Sequence, residues 1–313
     1  MTSLRYSPLP EKAYWPGLRP AWAPDFAARG LQLGCGFPSH SRANLEMTIH
    51  PAMLDRSIIQ EILHYRESSF QKFLPMKKRR GPSMNDVSEL KQKVVQACRI
   101  LDEQGIMDEL GHFSARIPKE NLVLMNGKVS PGQATEDDIV ILDLHGNKID
   151  GKIEPAKETP LHLSVYQKRE DVVAIAHTHS PMIVALSIAG VQLRGVDNLG
   201  ATVFGVGAPL FEECGLVDTF DMGYRIVKTM GTSSMVVLKG HGNIVTGGSV
   251  EECCVSAVWA EKAARLLHWA TQVGKPQGYT EEEIRRVREQ VIGGKAYLRA
   301  WNYYRWKLSR RQL

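Results

Sequence analysis

Residues 154–179 read EPAKETPLHLSVYQKREDVVAIAHTH, and the order of polar and apolar residues in this stretch decides the fold. The run from Val172 to Ala176 is apolar and rich in β-branched residues, which predicts a buried strand. The stretch Leu161–Tyr166 predicts a helix, since Thr159 and Pro160 suit its first turn. Strands and helices mixed in this way along the chain predict a layered α/β domain.

Three histidines and one glutamate form a candidate metal site. His177 and His179 come at the end of the predicted strand, where residues two apart point to the same face. His241 lies between two glycines, which allow a tight turn that brings its ring in from a loop. Glu158 precedes the predicted helix, where the helix dipole favours a carboxylate. Three imidazoles and one carboxylate suit a divalent metal, although a His-x-His pair alone is more often a packing or surface feature.

The composition of the 313-residue chain is that of a globular protein and argues against several classes of protein. Hydrophobic residues make up 43% and charged residues 23%, and the length allows one large domain with an appendage. An odd number of cysteines, 5, without a CxxC pair argues against a disulfide framework and a zinc ribbon, and favours a reducing cytoplasm. No apolar run has membrane-spanning length and no signal pattern opens the chain, so we expect no membrane partner. The net charge of +5 is mild, and we expect no nucleic-acid binding.

The chain divides into an extension and a domain. Residues 1–83 contain scattered prolines and aromatic residues without periodicity, and end in the basic run Lys77–Arg80, which predicts a largely irregular extension with a basic linker at its end. Residues 84–313 form the predicted domain. Within it we predict helices at 87–104, 161–167, 181–188, 222–230, 250–270 and 280–313, and strands at 111–116, 122–125, 139–142, 148–150, 172–179 and from 235.

Four motifs between about Leu90 and Lys275 resemble those of the class II aldolase/adducin family. They are Gly111-His-Phe-Ser-Ala-Arg116, Glu158-Thr-Pro-Leu-His162, His177-Thr-His179 and Gly240-His241-Gly242. The resemblance implies a three-layer α/β fold with a central, mostly antiparallel sheet flanked by helices, assembled as a homotetramer. It also implies one divalent metal ion per subunit, held by His177, His179 and His241, with Glu158 as a fourth ligand or as the acid/base. Zinc is our first choice, with manganese or iron as alternatives.

The same resemblance separates two substrate classes. Aldolases of the family hold a sugar phosphate with Gly-Asn, Thr-Gly and Ser-Ser, whereas this chain has Gly111-His112, Ser130-Pro131-Gly132 and Ala156-Lys157. The loss of neutral donors argues against a phosphorylated sugar. The pattern Gly-His-x-Ser-x-Arg is similar to that of metal-dependent decarboxylases acting on hydroxylated aromatic dicarboxylates. This implies a catalytic role for His112 beside Glu158, and substrate binding by Arg116, Ser114 and Lys157.

Two other functions stay open at this point. One is an aldolase, epimerase or dehydratase that acts on a sugar, a sugar phosphate or a hydroxy acid. The other is a non-enzymatic scaffold of the adducin kind, which would have no need of three metal-binding histidines. An aromatic cluster near the C-terminus contains Tyr297, Trp301, Tyr303, Tyr304 and Trp306. A C-terminal tyrosine can donate a proton in this family, but no motif selects one here, and we expect these residues to serve helix packing.

Overall fold

An eight-stranded sheet forms the centre of the domain in the computed structural model, which describes residues 84–293 and 295–310. The strands are β1 His112–Arg116, β2 Leu122–Asn126, β3 Ile139–Asp143, β4 Lys148–Asp150, β5 Ala174–Thr178, β6 Leu210–Phe211, β7 Met235–Leu238 and β8 Gly242–Gly247. Their order in the sheet is β4-β3-β2-β1-β5-β8-β7-β6. All neighbouring strands are antiparallel except β6 and β7, which are parallel.

Helices cover both faces of the sheet. They are α1 Met84–Glu103, α2 Thr159–Lys168, α3 Pro181–Ile188, α4 Asn198–Val203, α5 Phe220–Met230, α6 Val250–Val273, α7 Glu281–Gly293 and α8 Ala296–Ser309. Side-chain alternation along the strands divides the core, because Ala174 and Ala176 pack with α1 and α6 whereas Ile175 packs with α2 and α5. The predicted three-layer α/β architecture with a mostly antiparallel sheet is therefore confirmed.

Local sequence explains where several helices begin. The Thr219 side chain accepts a hydrogen bond from the Met222 N–H at the start of α5, and the Ser249 side chain accepts one from the Glu252 N–H at the start of α6. Pro160 occupies the first turn of α2, where its missing N–H is not needed. Each of these signals is readable from the sequence, and the predicted helices at these places are confirmed.

The register of the central strands brings the histidines to one place. His112 in β1 lies opposite His177 in β5, and Thr178 of β5 lies opposite Asn243 in β8. Gly240, with φ of +65°, makes the turn between β7 and β8 that carries His241. Gly242 is required for close approach, because a Cβ atom there would lie 2.4 Å from the Thr178 carbonyl oxygen.

Some elements were not predicted. Strands β6 and β8 and the helix α4 have no counterpart in the sequence prediction, and the C-terminal segment forms two helices, α7 and α8. The helix-packing interpretation of the C-terminal aromatic residues is confirmed for Trp301 and Tyr304, which are buried in the core. The extension at 1–83 lies outside the described residues. Within residues 84–293 and 295–310, no helix combines the length and apolar character needed to cross a bilayer.

Candidate metal centre

Three imidazole rings converge where central strands of the sheet end, and we call His177, His179 and His241 the histidine cluster. The ring centroids of His177 lie 4.9 Å from those of both other members, and the remaining pair is 5.4 Å apart. His177 is the penultimate residue of β5, His179 directly follows the strand, and His241 comes from the β7–β8 turn. The potential ligand atoms of the three residues all lie within 4.8 Å of one another.

Glu158 turns its carboxylate toward this cluster. It is the N-cap residue of α2, yet its side chain makes no capping hydrogen bond to that helix. The Val217 backbone N–H donates to Glu158 Oε1 at 2.8 Å, and that oxygen lies 3.8 Å from His241 Nε2. Glu158 Oε2 lies 3.5 Å from His177 Nε2 and 3.9 Å from His112 Nε2. The carboxylate is therefore fixed by one oxygen and faces two imidazoles with the other.

The arrangement of ring nitrogens fits a bound cation. His177 Nδ1 lies 3.3 Å from the Asn243 carbonyl oxygen, and His179 Nδ1 lies 2.7 Å from Asp108 Oδ1. Both Nδ1 atoms therefore carry a proton, and in neutral rings both Nε2 atoms present lone pairs. These two Nε2 atoms are only 3.2 Å apart, a distance at which two lone pairs repel unless a proton or a metal ion lies between them. Tetrahedral zinc, with Zn–N bonds of about 2.0–2.1 Å, places neighbouring ligand nitrogens roughly 3.4 Å apart.

The protonation states suit the same ligand set. Burial lowers the pKa of His241 to about 4, so its ring is neutral at pH 7. Burial raises the pKa of Glu158, but the contact with His177 and the hydrogen bond from the Val217 N–H outweigh burial and lower that pKa to about 2. A metal ligand set needs a neutral imidazole and an ionised carboxylate, and these two residues already have those forms.

His112 lies directly beside the cluster. Its ring stacks on that of His177 with centroids 5.2 Å apart and an interplanar angle of 27°. Burial, followed by the charges of His177 and His162, holds the pKa of His112 well below its usual value, so the ring is neutral. With Glu158 and His177 it forms a second group of close potential ligand atoms. The residue predicted to act beside Glu158 is thus within reach of that carboxylate.

A cavity of about 1240 Å³ opens over the cluster. His112, Glu158, His179 and His241 line it, and so does the exposed Lys157, which the sequence analysis singled out as a substrate-binding residue. The cavity also contains residues that the sequence analysis missed: Asp108, Lys128, Lys239 and the loop Cys214–Leu216. Lys128 and Lys157 lie on adjoining segments, since the Lys128 N–H donates to the Glu154 carbonyl oxygen at 2.9 Å.

Ser114 and Arg116, which the sequence predicted to bind substrate, do not line the cavity. Ser114 is fully buried, with its Oγ 2.7 Å from His162 Nδ1 and 2.9 Å from the Tyr166 hydroxyl. Arg116 donates to the backbone carbonyl oxygens of Tyr166, Arg169 and Val172. Both side chains point to the same face of β1 as His112, but α2 covers them. Their polar atoms form hydrogen bonds with other groups of the protein.

Comparison with known proteins places this geometry in a family. Residues 92–268 match the Class II Aldolase and Adducin N-terminal domain. A 3,4-dihydroxyphthalate decarboxylase of a Terrabacter species is 33% identical over 189 residues, covering 56% of this chain and 79% of the relative. A 5-deoxy-D-ribulose 1-phosphate aldolase of Bacillus thuringiensis is 29% identical over 158 residues, covering 50% of this chain and 73% of that protein.

Solved structures show the same fold. An aldolase II superfamily protein from Pseudomonas syringae superimposes with a TM-score of 0.63 at 23% identity, covering 78% of this chain and 97% of that one. An L-fuculose 1-phosphate aldolase superimposes with a TM-score of 0.61 at 23% identity, covering 65% of this chain and 96% of that one. Decarboxylases and aldolases both break carbon–carbon bonds. In this chain, the region that matches the family, residues 92–268, carries a His/Glu cluster fit for a metal. The chain therefore belongs to the class II aldolase and adducin family and is a carbon–carbon lyase.

Proposed function

We propose that this protein is a metal-dependent decarboxylase of a hydroxylated aromatic or heteroaromatic carboxylate. The observation that carries the proposal is the composition of the cavity wall beside the histidine cluster, where Lys128, Lys157 and His112 are available to an anion. Support also comes from the Terrabacter relative, whose name states decarboxylation of 3,4-dihydroxyphthalate, at 33% identity.

The charges of the wall suit carboxylates. Lys128 and Lys157 are both exposed on adjoining segments, whereas Lys239 across the cavity is neutralised by Glu212, with Nζ and Oε2 2.6 Å apart. An ammonium group binds an anion as a point charge and needs no planar geometry from its partner. Lys128 and Lys157 would therefore hold an anionic substituent of the substrate, while the end that reacts lies toward the histidine cluster.

His177, His179 and His241 would hold the metal, with Glu158 beside it as a weak fourth ligand or as the acid/base. Zinc is the preferred ion because three imidazoles with one position left for a substrate suit a catalytic zinc, and manganese or iron are the alternatives. When bound there, such an ion supplies a Lewis acid that polarises an oxygen of the substrate next to the bond that breaks.

Glu158 is proposed to move the proton. Its Oε1 accepts the Val217 N–H, so Oε2 is the atom free to exchange a proton with a substrate. The ionised carboxylate would accept the proton of the substrate hydroxyl and return a proton to the ring carbon once carbon dioxide has left. His112 Nε2, 3.9 Å from this oxygen, lies where it can donate a hydrogen bond to the leaving carboxylate.

An aldolase is the second candidate, and one observation favours it. Several relatives at 28–29% identity carry the names of sugar-phosphate aldolases, including an L-fuculose phosphate aldolase of Methanocaldococcus jannaschii. Aldol cleavage and decarboxylation both leave negative charge on carbon, so one site can support either reaction, and the cavity wall selects the substrate. Epimerisation or dehydration of a sugar or hydroxy acid would use the same charge stabilisation.

A comparison of turnover between two substrate classes tests the proposal. The zinc-loaded and manganese-loaded proteins are given 3,4-dihydroxyphthalate and related hydroxy-aromatic acids, and separately L-fuculose 1-phosphate and 5-deoxy-D-ribulose 1-phosphate. Release of carbon dioxide and of aldehyde is measured, with the His179→Ala protein as the background. We expect carbon dioxide from the aromatic acids with a higher kcat/KM than any aldehyde release. Efficient aldehyde release without decarboxylation of any aromatic acid would replace the decarboxylase by the aldolase.

We also propose a homotetramer located in the cytoplasm. The family resemblance supports the assembly, and the absence of disulfides among Cys98, Cys214, Cys253 and Cys254 is compatible with a reducing compartment. Sedimentation equilibrium at micromolar concentration should give four times the mass of the chain. A mass equal to that of one chain would contradict the tetramer without affecting the assignment of the metal site.

A further inference from the structure

The imidazole of His179 has a carboxylate on the side that faces away from the histidine cluster. Its Nε2 points at His177, 3.2 Å away, and its Nδ1 lies 2.7 Å from Asp108 Oδ1. Asp108 comes from the loop between α1 and β1, 71 residues before His179 in the chain. An ionised carboxylate only accepts hydrogen bonds, so His179 Nδ1–H is the donor.

We propose that Asp108 is a positioning residue that orients His179 toward the metal and strengthens it as a ligand. The inference rests on the metal site of the proposed function. A carboxylate on Nδ1–H fixes the tautomer in which Nε2 carries the lone pair, and it increases the basicity of that nitrogen. Asp108 would therefore control how tightly the cluster retains its ion without touching the ion itself.

The other two members of the cluster have weaker partners. His177 Nδ1–H donates to the Asn243 carbonyl oxygen at 3.3 Å, and the group near the His241 ring is the backbone of Gly215. Both partners are uncharged, and the first contact is longer than the one to Asp108. A hydrogen bond to an ionised acceptor is roughly twice as strong as a neutral one. Within the histidine cluster, His179 is thus the ligand whose second nitrogen is held by a full negative charge.

The chain holds Asp108 in position before any metal arrives. The Leu110 N–H donates to Asp108 Oδ1 at 3.1 Å, and the Gly111 N–H donates to the Asp108 carbonyl oxygen at 3.3 Å. These contacts form a tight turn that presents the carboxylate to His179. A preset partner lowers the cost of ordering the imidazole on metal binding, because its orientation is already fixed.

Zinc affinity of the full-length protein tests this role. The dissociation constant for Zn²⁺ alone is measured by competition with a chromophoric chelator at pH 7 for wild type, Asp108→Ala and Asp108→Asn. We expect a 10–100-fold weaker affinity for Asp108→Ala, the usual effect of removing such a partner. The zinc affinity of Asp108→Asn should lie between those of wild type and Asp108→Ala, because its amide oxygen still accepts the hydrogen bond but carries no charge.

Glu109→Gln is the matched control, since it removes one negative charge at the neighbouring position. Its carboxylate is not the one bonded to His179, and we expect its zinc affinity to equal that of wild type. Thermal unfolding of the metal-free proteins should be alike for all four, which separates positioning from a general structural role. Unchanged affinity in Asp108→Ala, or an equal loss in Glu109→Gln, would overturn this inference alone. A wild-type protein that binds no zinc, manganese or iron would overturn the metal site of the proposed function together with it.

Discussion

Two polar regions lie on the same face of strand β1 and serve different purposes. At one end, His112 meets Glu158 and the histidine cluster below an open cavity. Two and four residues further on, Ser114 and Arg116 lie beneath α2, where their polar atoms bind other protein groups. The contrast shows that a polar side chain on this face of β1 is open to a ligand only where no helix covers it. The following variants test that contrast, ordered by the expected loss of activity.

Removing a member of the histidine cluster should have the largest effect. His179→Ala deletes a ligand at the cavity wall, so we expect loss of the bound metal and of all measurable activity, with the fold retained. Mass spectrometry measures the metal content, and circular dichroism shows whether the fold is retained. His145→Ala, in an exposed turn outside the cluster, is the control and should keep both metal and activity. Full metal content in His179→Ala would show that the site lies elsewhere.

Glu158→Gln should have the next largest effect. The amide keeps the size of the side chain and an oxygen that can still coordinate, but it cannot accept a proton. We expect metal to be retained and kcat to fall by roughly 10²-fold or more, the usual contribution of general acid–base catalysis. Stopped-flow measurement with stoichiometric metal tests this. An unchanged rate with metal bound would reduce Glu158 to a structural role.

Lys157→Met should act mainly on substrate binding. The variant loses one exposed ammonium group that would donate a hydrogen bond to an anion. We expect KM to rise about tenfold, which corresponds to the lower end of the free energy of a charged hydrogen bond, with a smaller change in kcat. Lys152→Met is the control, because Lys152 is exposed on the same segment and pairs with Asp137. Equal KM values for the two variants would remove Lys157 from the substrate site.

Ser114→Ala should change activity least and stability instead. It leaves His162 Nδ1 and the Tyr166 hydroxyl without their shared partner in the core, which should cost about 1–3 kcal/mol of the free energy of unfolding. Ser164→Ala is a matched control, since Ser164 Oγ is also buried but has no hydrogen-bond partner among the described residues. Urea denaturation measures the free energy of unfolding of both variants, and we expect the larger loss for Ser114→Ala. A large fall in kcat for Ser114→Ala at full metal content would bring Ser114 back into the reaction.

Several features of the site were beyond sequence reasoning. Asp108 and Lys128 lie in loops without a recognisable motif, and their roles depend on contacts with chain segments far away in sequence. Asp108 meets His179 across 71 residues, and Lys128 reaches the cavity because its loop pairs with Glu154 and Pro155. Strand β8 was missed because only Ile244, Val245 and Thr246 of its six residues favour a strand, and pairing with β5 and β7 extends it over the flanking glycines and Asn243.

The sequence by itself determined the layered α/β class and the candidates His177, His179, His241 and Glu158. These depend on local signals: an apolar run, a helix start and glycines at a turn, each contained within a few residues. Only the tertiary structure decided which polar residues of β1 face the cavity. Helix α2 packs over the sheet, buries Ser114 and half-buries Arg116, and this packing depends on elements that are distant in the chain.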